Sequence, residues 1–371
     1  MRPYAFALFM AVALPSSTVT AQLIPGDDHA CQTCRIQSRT LFTIGTQSGP
    51  AALPGMPFNV MEDELGRIWV FFDSALPMVF DASGKFVATV GRRGDGPGEF
   101  RLPRSMVTVA GDSILVFDAA GRAVLLDHDL NASRSIVIPG RGVWTALVLQ
   151  WPDRVILNAV IPTRASIGWP LHMADLSAAQ ASIDRSFGPN GGRAIPGAAG
   201  RRVQQSFLIG RTSGEFWSIE IGRYRLSKWS GSERIAGIER RPSWFQGQSM
   251  LTIGRHRPSE PRISGIISDS EGRFWVYTLV AASDFQRAWR NATPRPDGSY
   301  PSEIRASDII IPDLYKTRVE VLDPENELVI TAADYEGMVL STLASGRVVV
   351  YTQDANGVPQ LRIVAFTMDR S

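Results

Sequence analysis

The chain holds few groups suited to catalysis and an unusual weight of one suited to binding anions. Only four histidines occur, His29, His128, His172 and His256, and no motif joins them. The two cysteines, Cys31 and Cys34, form a Cys-x-x-Cys pair. In an exported chain that spacing is most simply a small disulfide. A c-type haem site needs His after the second cysteine, where Arg35 stands, and a zinc site needs about four ligands where only His29 is near. All but Lys85, Lys228 and Lys316 of the 38 basic residues are arginine. A guanidinium presents a planar fork that matches carboxylates and phosphates. Gly91, Gly94 and Gly96 are followed by Pro97 and a strand, so they form no dinucleotide loop, and Arg93-Gly94-Asp95 reads as a chance tripeptide.

The elements that must position these residues announce themselves by a recurring phrase. Residues 66–70 read GRIWV, 272–276 GRFWV, 214–218 GEFWS and 346–350 GRVVV. Each is a turn followed by an apolar strand, and self-similarity at tens of residues marks a repeat architecture. Short apolar runs alternate with Gly, Pro, Asn, Asp and Ser turns throughout, without long helical periodicity. The pattern predicts an all-β fold, a six-bladed β-propeller. Blade one is expected to have strands 58–62, 68–72, 78–81 and 86–90, with Trp69, Trp217 and Trp275 packing as core. The sixth blade lacks a fourth strand at the C-terminus. Residues 40–45, TLFTIG, parallel VATVG at 87–91 and are expected to close the ring as its outer strand.

Met1-Arg2, an apolar run over 4–15 and Val19-Thr20-Ala21 form a Sec signal peptide, residues 1–21, with cleavage after Ala21. The run is too short to span a bilayer comfortably and no later stretch is long enough, so no transmembrane segment is expected after cleavage. A periplasmic or extracellular protein is expected, with an N-terminal segment 22–38 carrying the Cys-x-x-Cys pair and a propeller over 39–371. A monomer is expected. Nucleic acid is disfavoured as a partner by export and by a net charge of only +2.

The stretch 114–127, ILVFDAAGRAVLLD, resembles an NHL repeat. So does 80–100, FDASGKFVATVGRRGDGPGEF, with its Gly-x-Gly-Pro-Gly-Glu-Phe tail. The whole chain is similar to exported six-bladed β-propellers of bacteria related to NHL-repeat proteins. That resemblance implies a fold and a binding role and no single activity.

In such a ring, connections alternate between two faces. The A–B and C–D turns are short here, and the long connections 91–104, 158–172, 188–202, 239–262 and 281–318 all fall on the opposite face. Long loops on a rigid scaffold are where function usually sits. By this assignment the loop face carries a charge of about +8 against +2 for the whole chain, which suits anionic ligands. Trp144, Trp169, Trp244 and Trp289 fall at or near it. The expected ligand-binding residues are Arg92, Arg93, Arg201, Arg202, Arg240, Arg241 and Trp289. The expected role is non-enzymatic binding of an anionic small molecule, a glycan or a protein partner, with no cofactor and no catalytic residue. The alternative is a metal-dependent lactonase, hydrolase or lyase with Ca²⁺ in the central channel. Gluconolactonase-like propellers hold such a metal with Glu, Asp and Asn, and streptogramin-lyase-like ones use a His and Glu cluster. Asn59, Asp118 and Asn158 lie near strand ends on the right face, but their spacing matches no metal signature and they read as turn and cap residues.

Overall fold

A computed structural model describes residues 21–189, 206–210, 214–245, 260–289 and 310–370. Residues 1–20 of the expected leader 1–21 lie outside them. The described residues form six four-stranded antiparallel sheets in a ring, with no α-helix. From the axis outward, blade one is Asn59–Glu62, Ile68–Phe71, Met78–Phe80 and Phe86–Thr89. Blade two is Pro103–Val109, Ser113–Asp118, Arg122–Leu126 and Ala132–Val137. Blade three is Arg141–Gln150, Arg154–Val160, Leu171–Asp175 and Ser182–Phe187. Blade four is Ser206–Gly210, Glu215–Glu220, Arg225–Ser230 and Glu233–Arg241. Blade five is Arg262–Ser268, Phe274–Ala281, Tyr315–Asp323 and Leu328–Tyr335. Blade six is Met338–Thr342, Val348–Gln353, Pro359–Arg370 and, from the other end of the chain, Cys34–Ile44.

Closure by the N-terminal strand is as expected, but the strand is longer. It starts at Cys34 and not near Thr40, because its partner strand extends to Arg370 and offers a full ladder. The segment 22–38 packs along the ring. Gln22–Pro25 adds a fifth strand, parallel to the outer strand of blade four. Ala30 and Cys31 then donate their N–H groups to Val329 and Ile330 on the outer strand of blade five, 2.8 Å each. Cys31 and Cys34 are joined in a disulfide just before the closing strand. The N-terminal arm thus ties three consecutive blades together on their outer edges.

The repeated phrase has a structural cause that begins three residues before its glycine. In blade one, Asp63 Oδ1 accepts the N–H groups of Leu65 and Arg67, at 3.1 and 2.9 Å. Its Oδ2 accepts Arg67 Nε at 2.7 Å and Trp69 Nε1 at 2.9 Å. Asp269 repeats this in blade five, with Glu271 and Arg273 N–H at 3.0 Å, Arg273 Nε at 2.7 Å and Trp275 Nε1 at 3.1 Å. The aspartate closes the turn as a backbone mimic and satisfies the one polar atom of a core indole. Gly66 and Gly272 sit at φ +75° and +82°, which a side chain disfavours. The three tryptophans fill the spaces between blades as expected. Trp69 packs with Phe100, Met106 and Val116, Trp217 with Phe274, and Trp275 with Val339 and Val348.

Short polar side chains stitch the inner strands. Ser105 Oγ donates to Val143 O at 2.7 Å, and Thr145 Oγ1 to Ser206 O at 2.8 Å. Val60 N donates to Ser341 Oγ at 3.3 Å, and Thr342 Oγ1 to Ile266 O at 3.3 Å. Each joins one blade to the next near the axis, where buried backbone groups must find partners.

Candidate functional site

The long connections described all emerge on one face, as the alternation of strands requires. The connection after blade one is a small folded unit. Arg92–Arg93 pairs in parallel with Glu99–Phe100. Arg122, from blade two, donates to the carbonyls of Gly94, Asp95 and Glu99 at 2.6–2.7 Å, and Asp118 accepts the N–H groups of Arg101, Leu102 and Ala120. Asp118 is therefore a cap that shapes this loop.

Asn59 and Asn158 are stitches of the same kind. Asn158 donates to Pro170 O at 2.9 Å and accepts Ser206 N–H at 3.1 Å. Asn59 donates to Arg104 O and accepts from Ser341 Oγ, both at 3.4 Å. The Asn158 oxygen, already filled by a backbone N–H, is a poor ligand for a hard cation. Among the described residues no three His, Cys, Asp or Glu side chains are placed to hold a metal.

The histidines also stay apart. His172 is fully buried, with Nε2–H donating to Ala159 O at 3.1 Å and Nδ1 2.8 Å from Ser186 Oγ. Burial pushes its pKa down to about 4, against the weaker pull of its backbone hydrogen bonds, so the ring is neutral. His256 lies outside the described residues.

Among the described residues, the arginines singled out by the sequence are not gathered into one site. Arg92 is 77% exposed at 3.1 Å from Glu99. Arg93 is turned to the carbonyls of Ser74 and Arg101. Arg241 is 68% exposed and 2.7 Å from Glu239, three blades around the ring from Arg92. Arg201 and Arg202 lie outside the described residues. Two of the expected ligand-binding residues are buried instead. Arg240 has no exposed side-chain surface: its Nη2 is 2.8 Å from Glu320 Oε1, and its Nη1 donates to Gly26 O at 2.9 Å and Ile24 O at 3.4 Å. Tyr224 Oη donates to the other Glu320 oxygen at 2.6 Å. Alternation along the strand sends Arg240 inward, under the arm, and its neighbour Arg241 outward. Trp289 is buried in the core with Leu279, Leu314 and Tyr315, because the short 3₁₀ turn Phe285–Trp289 folds back onto blade five. It pins its loop and does not meet a ligand from solvent.

What the fold does bring together is an open cleft of about 540 Å³ at the seam of blades four and five. Its walls are Asp27 from the arm, Trp244 and Pro261 from the connection between the two blades, and Val280, Ala281, Lys316, Arg318 and Asp334 from blade five. Lys316 Nζ and Arg318 Nη1 share one carboxylate, Asp334, at 2.7 and 3.0 Å. Burial alone would raise the Asp334 pKa, but these two cations outweigh it and hold the group below the usual range. Asp27 accepts Ser243 N–H at 2.8 Å and Ser243 Oγ at 2.5 Å, bonds that lower its pKa too. The Arg318 guanidinium lies 5.5 Å from the centroid of the Trp244 ring, a cation–π contact. Trp244 Nε1 and Arg318 Nε are buried with no acceptor among the described residues. Such donors are costly to leave unmet and suit a ligand that brings acceptor oxygens.

Trp244 and the long connections around it were legible as candidates. Lys316, Arg318 and Asp334 were not, since they sit within strands whose register alone sets them on one cleft wall.

A family described as 6-bladed beta-propeller matches the chain over residues 63–135. Among curated proteins none matches its sequence. A Bacteroides fragilis protein inferred to be exported shares the fold at a TM-score of 0.55 and 13% identity, over 93% of this chain and 100% of its own. A member of the DUF4221 family from Bacteroides vulgatus does so at 0.58 and 10%, over 91% and 99%. Among the described residues no helix is long and apolar enough to cross a membrane. At identities this low the likeness shows the fold alone: the chain is a six-bladed β-propeller.

Proposed function

We propose that this propeller is an exported, NHL-like binding module that takes an acidic ligand in the cleft between blades four and five. Export is supported by the leader and by the fold shared with a Bacteroides fragilis protein inferred to be exported. The observation that carries the binding reading is the pairing of two cations on one carboxylate beside two buried N–H donors without acceptors among the described residues. An incoming carboxylate can share Lys316 or Arg318 with Asp334, whose side chain is partly exposed. The indole and the apolar wall of Pro261, Val280 and Ala281 supply a surface for the rest of the ligand.

The test is calorimetric titration of the mature protein with oligogalacturonate, using an uncharged oligosaccharide of equal length as control. The acidic ligand is expected to bind, with affinity falling as salt rises. Losing one charge-assisted contact of about 1.5–3 kcal/mol makes Arg318→Gln or Lys316→Gln weaken it by roughly 10–100-fold. Arg92→Gln, three blades away, is expected to leave it unchanged. Binding that ignores both cleft substitutions, or that follows Arg92, would overturn the assignment.

A further inference from the structure

The leader expected from the sequence ends at Ala21, and in the fold the next residue opens a strand. Gln22 stands opposite Ile238 and Pro25 opposite Arg241, along the free edge of blade four. Cleavage after Ala21 makes a glutamine the first residue of the mature chain, and sets it in a docked strand with its side chain exposed.

We propose that Gln22 is a modification site, converted to pyroglutamate in the mature protein. The inference rests on the export reading given above. The chemistry is intramolecular. The free α-amino nitrogen attacks the side-chain amide carbon, a C–N bond closes a five-membered lactam, and the carbon–nitrogen bond to the amide nitrogen breaks. Ammonia leaves with the displaced proton. Nothing is oxidised or reduced and no co-reactant is consumed.

Three features of this chain favour the lactam at this place. The Gln22 side chain is exposed, so the ring closes without displacing a packed neighbour. The edge it joins carries Glu239, Arg240 and Arg241 opposite Leu23, Ile24 and Pro25, each already engaged in ion pairs within the propeller, so the terminal amine is not needed there as a partner and cyclisation removes its charge. The arm also has parts that cannot be lost by trimming. Ile24 and Gly26 supply carbonyl acceptors to the buried Arg240, and Asp27 lines the cleft. A lactam has no free amine for an aminopeptidase to engage, so the modification protects the acceptors of a buried guanidinium.

The experiment expresses the full chain with its leader in an exporting bacterium. Free amines of the purified exported protein are labelled before digestion, and the N-terminal tryptic peptide ending at Arg35 is read by mass spectrometry. The expected result is a peptide that starts at residue 22, escapes labelling and is lighter than the glutamine form by about 17 Da, the mass of ammonia. Q22N keeps the cleavage site but cannot form this ring, and is expected to give a labelled amine. A wild-type peptide that starts at residue 22 and carries the label overturns the modification while leaving the export reading intact. A chain that keeps residues 1–21, or starts elsewhere, overturns the cleavage and the modification together.

Discussion

Arg240 and Glu320 make the fold sensitive at one point where the arm, blade four and blade five meet. Replacing Arg240 by Met keeps the volume and removes the charge. The Glu320 carboxylate, itself buried, is left with the Tyr224 hydroxyl as its neighbour, and the carbonyls of Ile24 and Gly26 lose their donor. Burial, with the charge of Glu320 beside it, holds the Tyr224 pKa far above its usual value, so that hydroxyl stays a donor. Breaking a buried pair from one side costs about 3–5 kcal/mol, mostly the penalty of the stranded charge. Arg240→Met is expected to lose that much in urea unfolding with an unchanged m-value, and to raise hydrogen exchange over residues 22–27. The double variant Arg240→Met, Glu320→Gln removes the stranded charge and keeps a partner for Tyr224, so it is expected to recover at least half of the loss. A single variant that loses less than about 1 kcal/mol, the scale of an exposed pair, with the arm still protected, would refute the reasoning.

Further outcomes follow from the same contacts. Asp63→Ala strands a fully buried indole N–H and is expected to cost about 2–3 kcal/mol, whereas Asp269→Ala, at a less buried turn, costs less; urea unfolding of the two variants checks the order. His172 has a folded pKa near 4, below its ordinary 6.5, so the fold binds its proton less well than the open chain does. Its contribution is complete above pH 6.5 and is lost as pH falls toward 4, up to about 3 kcal/mol in all. Stability against pH is expected to be flatter in that window for His172→Gln, and parallel curves would exclude the buried ring as the cause. Asp334 acts lower on the scale. Its depressed pKa adds stability that is present above the ordinary carboxylate value, about 3.9, and is lost as pH falls further, and Lys316→Gln is expected to shrink that acid loss in pH-jump unfolding.

Much of the fold was legible because its causes are local. The glycine at positive φ, the turn before it and the alternating apolar strand lie within a few residues, so each copy of the phrase carries its own instruction. Even the missing fourth strand of blade six could be found by its likeness to a strand of blade one. The aspartate three residues before the glycine is not legible as part of the phrase. Its role shows only when Trp69 and Trp275 are seen to turn their indole N–H groups back to it. The candidate site was read less well. Counting arginines by loop located charge but not direction, and direction reverses from one strand residue to the next. Arg240 and Arg241 are adjacent in sequence, yet one is sealed beneath the arm and the other faces solvent. Trp289 looked exposed because its loop is long, but a long loop needs an anchor, and the largest apolar side chain supplied it.

By itself the sequence determined the class of fold, the number of blades, the closing strand and the face that bears the long connections. These depend on hydrophobic period, turn chemistry and loop length, which are properties of neighbours in the chain. Only the tertiary structure decided that the arm joins blades four, five and six, and that Asp27, Trp244, Lys316, Arg318 and Asp334 meet in one cleft. Those residues lie as far as some 300 positions apart in the chain. Their meeting depends on how the ring closes and on strand register, neither of which any local segment encodes.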